Sequence, residues 1–417
     1  MKDLARSLDN VETSNLGLET FFKRQLLHRL SGLPRGRLII EDGGERHILG
    51  STGNSIELLA IVKIHSVAAY RDIALGGSMG AADAFIEGKW TSPVLVDVIR
   101  LMSANIDFLN RIDDSRSFPL RWLEKGFHWL NRNTQVNSKK NIAKHYDLSN
   151  DFFKLFLDPS MMYSAAVFSN EHQNLDSAAT AKLDLVCFKL DLNPSDHLLE
   201  IGTGWGGLAI HAAKHYGCKV TTTTISRRQY DEAQRRVVLE GLEDQIEVLF
   251  EDYRNLQGQY DKLVSIEMIE AVGARYYGEY FSTCSSLLKS EGVMLIQMIT
   301  IPDKRYDFAN RSVDFIQKYI FPGGSLPCHQ VVMSSIKNNT DMQLIDMQEI
   351  GIDYARTLAE WRLRFWDRID EVKSLGFDEQ FIRMWDYYFC YCEGGFRERI
   401  IGTAQILLAR PDWRPQT

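Results

Sequence analysis

From residue 176 onward, short apolar runs alternate with stretches whose apolar positions recur every three or four residues. That pattern predicts a helix over 176–190, a strand at 197–201, a strand at 219–225 and a helix over 227–240. Further strands are predicted at 245–250, 261–267 and 292–299, with a helix at 275–288 between the last two. Such alternation implies an α/β fold, a doubly wound and mostly parallel sheet. Ile406-Leu407-Leu408-Ala409 is expected to add an antiparallel edge strand, and an aromatic-rich insertion at 300–341 is expected to cover the site as a lid. Upstream, residues 18–31 carry helical periodicity, and Arg37–Glu41 and Arg46–Gly50 flank Asp42-Gly43-Gly44, a hairpin signal. Ile56 to Ser66 reads as a third strand and 81–105 as helices. The expected division is a smaller α+β domain over 1–115, a candidate lipid binder, then a helical linker over 116–144 and a catalytic domain over 145–417.

The densest local signal closes strand 197–201. Glu200-Ile201-Gly202-Thr203-Gly204-Trp205-Gly206-Gly207 puts an acid and four glycines where the helical pattern begins. Glycine is needed where the backbone takes positive φ or must approach a ligand without a Cβ in the way. A loop of this kind at the carboxyl end of a strand is a nucleotide-sized binding site. Here the acid precedes the first glycine and no Gly-Lys-Ser/Thr phosphate anchor follows. That form resembles the first motif of class I S-adenosylmethionine (SAM) methyltransferases, with a dinucleotide site as the rival reading. The next strand ends in Thr221-Thr222-Thr223-Thr224-Ile225-Ser226 with no acid at its tip. Thr224 and Gln229 could hold ribose hydroxyls there, or be an ordinary strand end and helix start. After the third strand comes Glu251-Asp252-Tyr253, where Asp252 could accept from an adenine amine and Tyr253 could stack.

Composition narrows the field only modestly. The 417 residues are 45% hydrophobic and 25% charged, an ordinary globular balance, and the net charge of −7 argues against bulk nucleic-acid binding. Six cysteines show no metal-ligand spacing, so no metal is expected, and a reducing cytoplasm is the simpler setting. The start Met1-Lys2-Asp3-Leu4-Ala5-Arg6 does not read as a signal peptide, and nothing approaches the ~20 apolar residues of a membrane span. Between Pro119 and His145, basic residues are interleaved with Trp122, Phe127, Trp129 and Leu130. Such a segment suits an anionic membrane surface, or equally a helix packing its tryptophans on a neighbouring domain.

Several blocks together carry a family likeness. They include Lys144 to Phe153, Met162-Tyr163-Ser164, the glycine loop, Ser265-Ile266-Glu267-Met268-Ile269-Glu270, Lys318 to Gly324, Asp353 to Leu358 and Cys392 to Arg397. In these the chain resembles the cyclopropane-fatty-acid synthases and mycolic-acid methyltransferases, strongly over 140–410. The resemblance implies that SAM is held at Tyr163, Ser164, Gly202, Gly204, Thr224, Ile225, Gln229 and Tyr253, to which the residue reading adds Glu200 and Asp252. It implies attack of a cis double bond in a phospholipid acyl chain on the SAM methyl group, followed by proton loss. It also implies a cytoplasmic protein peripherally associated with the inner membrane, with a homodimer as one candidate assembly. Tyr163, Phe321, Tyr354, Trp361 and Tyr387-Tyr388-Phe389 are candidate aromatic faces for the cation.

The family's base is taken to be a bound bicarbonate, and here the chain departs. Glu270 and Tyr354 match a glutamate and a tyrosine of that site, but the family cysteine is Ala165 and the family histidine is Gln297. Glu267 adds a second carboxylate, which repels an anion and could itself become a base. Bicarbonate is therefore in doubt as a cofactor, and the product stays open between a cyclopropane and a methyl-branched or methylene chain. Cys392 is a weak nucleophile candidate, more simply a small packed residue. The competing readings are a small-molecule methyltransferase, because plant alkaloid N-methyltransferases share the Ser-x-Glu-Met-x-Glu block, and a non-catalytic lipid binder.

Overall fold

The computed structural model describes residues 18–51, 58–114 and 149–415, so the basic, aromatic segment from Pro119 to His145 lies outside the described residues. The chain forms two compact units, 1–120 with 376–398 and 121–375 with 399–417. Residues 376–398, expected within the catalytic domain, thus belong to the first unit.

The first unit is built on strands β1 (Arg37–Asp42), β2 (Glu45–Gly50), β3 (Leu59–Ile64) and β4 (Trp90–Thr91), in the order β2-β1-β3-β4. Gly43 and Gly44 turn the β1–β2 hairpin at φ 56° and 92°, conformations that side chains disfavour. The helix expected from 81 begins earlier, at Ala68, and runs to Ile86 around a kink at Gly77. Its glycines mask the helical period. Helix Leu95–Ala104 follows β4, and helix Glu379–Arg397 packs against both. Phe85 and Tyr387 lie 5.5 Å apart, and a Cβ on Gly394 would fall 2.6 Å from Ile99.

The second unit holds β5 (His197–Ile201), β6 (Lys219–Thr223), β7 (Ile246–Leu249), β8 (Tyr260–Ile266), β9 (Leu288–Thr300), β10 (Gln343–Glu349) and β11 (Gly402–Ala409). Their order is β10-β11-β9-β8-β5-β6-β7, with β5 to β9 parallel and β10 and β11 antiparallel. This is the class I SAM-methyltransferase sheet. β11 is not the edge strand the sequence predicts: it lies between β9 and β10, and its apolar run is buried on both faces, as an internal strand requires. The edge is β10, whose exposed residues carry no period-two signal. One face of the sheet packs on Tyr280, Phe281, Val332 and Ile336, the other on Leu183, Val186, Leu208 and Val237. Helix His329–Asn339, from the expected lid, therefore contributes to the core through Val332 and Ile336. Among the described residues no helix is long and apolar enough to cross a membrane.

Candidate active site

The glycine loop folds as its composition requires. Gly202, Gly204 and Gly206 have φ of 105°, 52° and 84°, and Gly202 and Thr203 donate their amides to Thr223 O at 3.1 and 3.0 Å, tying the loop to β6. Beneath it Glu200, 3% exposed, accepts from the Thr222 hydroxyl at 2.6 Å, and burial pushes its carboxyl up to about 8. A Cβ on Gly204 would meet nothing within 4 Å, so the loop presents bare backbone to open space, as a cofactor cradle must. Gly207 is different. A Cβ there would lie 2.5 Å from Ser160 O, so this glycine lets the turn before Tyr163 sit against the loop. Arg236 fastens the same junction, donating to Ser160 O and Trp205 O at 2.9 Å each.

The other expected cofactor residues gather at this end of the sheet. The Thr224 hydroxyl donates to Gln229 Oε1 at 2.9 Å, and Ser226 caps the helix Arg227–Glu240 that carries Gln229. Ile225, between them, is partly exposed. Asp252 caps the turn Tyr253–Asn255, and its carboxylate is gripped by Arg254 through Nε and Nη2, both at 2.8 Å. Tyr253 meets Tyr280 edge-on at 5.4 Å. Ser164 is 4% exposed and accepts from the Lys182 ammonium at 3.1 Å. These residues fit SAM: a sulfonium nucleoside needs hydroxyl and amide partners and a close backbone, not a phosphate anchor.

Beside the cradle lies a carboxylate cluster at the carboxyl ends of β8 and β9. Glu267 Oε1 accepts from Ala165 N at 2.9 Å and Gln297 Nε2 at 2.8 Å, and its Oε2 accepts from the Tyr354 hydroxyl at 2.7 Å. Gln297 Oε1 accepts in turn from Gln405 Nε2 at 3.0 Å, across the β9–β11 pairing, which orients the Gln297 amide with its nitrogen toward Glu267. Glu267 has φ 49°, a left-handed conformation that costs a non-glycine residue about 1 kcal/mol. Glu270 Oε1 accepts from Ile299 N, while its buried Oε2 has no partner among the described residues. Burial, with the Glu267 charge second, pushes the Glu270 carboxyl up to about 8. Burial also raises Glu267, but there the three hydrogen bonds pull back toward the charged form. Burial thus raises both acids, but at Glu267 three hydrogen bonds oppose the rise, while one oxygen of Glu270 has no partner among the described residues. An external bicarbonate does not fit this donor set, because the Glu267 carboxylate already takes its hydrogen bonds.

Lys182 is the residue the motif reading passed over. It is fully buried, and burial lowers its ammonium to about 8 against the attraction of Glu267, Asp158 and Glu200. The signal was present: Lys182 falls in the apolar stripe Leu175, Ala178, Ala179 and Val186, where a charge needs a reason. Gln405 was also missed, since a polar residue in an apolar strand shows its partner only once β11 lies beside β9.

An aromatic wall completes the site. Tyr163 lies 5.3 Å from Trp361 and 6.2 Å from Phe321, and Tyr354 lies 6.1 Å from Trp361. Ser325, from the 300–341 insertion, donates its amide to Glu270 O at 2.9 Å, so part of that insertion does border the cluster. Tyr387, Tyr388, Phe389 and Cys392 stand on helix Glu379–Arg397 of the first unit, and the cluster is in the second.

The profile of the mycolic acid cyclopropane synthetase family matches residues 133–406. The chain is 36% identical over 358 residues to the tuberculostearic acid methyltransferase UfaA1 of Mycobacterium tuberculosis, covering 82% of this chain and 81% of that one. It is 35% identical over 353 residues to the cyclopropane-fatty-acyl-phospholipid synthase of Escherichia coli K12, covering 84% and 88%. The mycolic acid cyclopropane synthase CmaA1, complexed with SAH and CTAB, superposes with a TM-score of 0.61 at 32% identity, over 65% of this chain and 98% of that one. With that match over a cofactor cradle and a buried carboxylate cluster, the chain belongs to the mycolic acid cyclopropane synthetase family of SAM-dependent methyltransferases.

Proposed function

We propose that this enzyme transfers a one-carbon unit from SAM to the cis double bond of unsaturated phospholipid acyl chains, working peripherally at the cytoplasmic face of a membrane. The observation that carries this reading is the aromatic wall of Tyr163, Phe321, Tyr354 and Trp361 against two buried carboxyl groups. Its ring faces suit a carbocation formed on an apolar chain, and its acids suit the proton that such a cation must lose. The relatives named for fatty-acyl phospholipid and tuberculostearic acid support the same acceptor class.

SAM, when bound, supplies an electrophilic methyl group. Gly202, Gly204, Thr224, Ile225, Gln229, Tyr163, Ser164 and Tyr253 would hold it, with Glu200 fixing the loop from below. Asp252 acts through the turn it caps rather than through a free carboxylate, because Arg254 already engages both its oxygens. Tyr163 and Trp361 exclude water from the reacting carbons.

Purified protein given SAM and dioleoyl phosphatidylglycerol vesicles should release SAH and make acyl chains heavier by one carbon and two hydrogens. Vesicles of saturated lipid, or amines in place of lipid, should give no turnover, and turnover on amines alone would overturn the reading. Ozonolysis separates the products: an alkene that survives supports the open-chain outcome, and a saturated ring defeats it.

A further inference from the structure

We propose that Glu267 is the proton acceptor of this reaction, a carboxylate built into the chain in the place an external anion would need. The inference rests on the acyl-chain reading above. Three donors from three separate elements converge on it: Ala165 N from the loop after Ser164, Gln297 Nε2 from β9 and the Tyr354 hydroxyl from helix Gly351–Asp367. Each is a hydrogen bond that favours the charged form. Gln405 fixes the Gln297 amide, and Glu267 N donates to Gln297 O at 2.7 Å, so backbone and side chain are both clamped to the same strand. The left-handed backbone at Glu267 is a strain that the surroundings must hold in place, and such strain concentrates at functional sites. Glu270 beside it is neutral near pH 7, which leaves the pair one base rather than two repelling charges.

The balance is complete without another reactant. With SAM bound, the alkene electron pair would take the methyl carbon as the methyl–sulfur bond breaks, its pair staying on sulfur as SAH, and positive charge would fall on the other alkene carbon. A neighbouring C–H bond then breaks, its electron pair forming either the third ring bond or a new double bond, and its proton passes to the Glu267 carboxylate. The carboxylic acid returns that proton to water on product release.

The test uses the full chain, wild type, Glu267→Gly and Glu267→Gln, in buffer stripped of carbon dioxide, with and without millimolar bicarbonate. Glycine suits the positive φ and empties the space among the three donors. The wild type should show the same melting temperature and the same SAH release from dioleoyl phosphatidylglycerol vesicles in both buffers. Glu267→Gly should lose about 10²-fold or more in turnover, the range general-base loss produces, then recover part of it and melt higher when bicarbonate is added. Glu267→Gln should stay inactive in both. A wild type that is stabilised or accelerated by bicarbonate, or an active Glu267→Gln, overturns the proposal. If the wild type turns over no unsaturated vesicle, the acyl-chain reading fails, and the melting arm still decides whether Glu267 fills the anion site. Bicarbonate stabilising the glycine variant alone supports it, and any other pattern refutes it.

Discussion

At the scale of single residues, the donors around Glu267 set the acidity of the site, and each can be removed separately. Tyr354→Phe deletes one hydrogen bond to the charged form, so the Glu267 pKa rises further. Activity that needs the carboxylate is lost as pH falls through that pKa, and the acidic limb of the pH–rate profile should therefore move to higher pH. A limb that stays in place would separate Tyr354 from the base. Glu270 gives the opposite limb. Its carboxyl titrates near 8, so activity that needs it neutral falls as pH rises through that value. Glu270→Gln, which is neutral at every pH, should remain active at pH 7 and lose the alkaline fall. Glu270, Tyr354, Glu267 and Gln297 were all legible in the sequence as members of one site. What the sequence could not show is that Glu267 accepts from Tyr354 and Gln297 directly, since these hydrogen bonds span 87 and 30 residues.

At the scale of elements, the strand–loop–helix unit from β5 to helix Gly207–Tyr216 separates two uses of glycine. Gly207→Ala should gain up to about 1 kcal/mol in helix propensity, yet its Cβ would stand 2.5 Å from a backbone oxygen that cannot swing away. The collision dominates. The variant should melt lower and bind SAM at least about tenfold more weakly by calorimetry, through displacement of the turn that carries Tyr163 and Ser164. Gly204→Ala meets no such obstacle and pays only for its φ of 52°, about 1–2 kcal/mol. It should stay folded while losing SAM affinity, because the added methyl occupies the open space the loop presents. Equal losses of stability in the two variants would contradict this division. The strands β5 to β9 were legible within a few residues, because buried parallel strands read as apolar runs. β10 was not, because every one of its residues is exposed.

At the scale of the molecule, buried ionisable groups shape stability against pH, Glu200, Glu270 and Lys182 among them. Glu200 and Glu270 have native values near 8 against 4.5 unfolded, so the native state holds more protons between those limits and stability falls as pH rises through them. Lys182 is near 8 against 10.5, so the unfolded state holds more protons between those values and stability recovers as pH rises through them. The melting temperature should fall as pH rises from about 5 to about 8, and Glu270→Gln should flatten that fall. A second consequence follows from the interleaved units. A fragment starting at residue 121 keeps helix Glu379–Arg397 but loses the helices it packs on, exposing Tyr387, which lies 5.5 Å from Phe85, and the Gly394 face that sits against Ile99. Such a fragment should aggregate, and replacing 376–398 with a short polar linker should restore solubility.

By itself the sequence determined the five parallel strands, the cofactor loop and Glu267, Glu270, Gln297 and Tyr354 as members of one candidate site, because period, glycine placement and residue type are local properties. Tertiary structure alone decided which of two carboxyl groups gathers the hydrogen bonds that favour charge. Charge state depends on what surrounds an oxygen, and Ala165, Gln297 and Tyr354 reach Glu267 only when the sheet closes, while Glu270 Oε2 has no donor among the described residues. Burial of Lys182 and of the second face of β11 was decided in the same way, by neighbours distant in the chain.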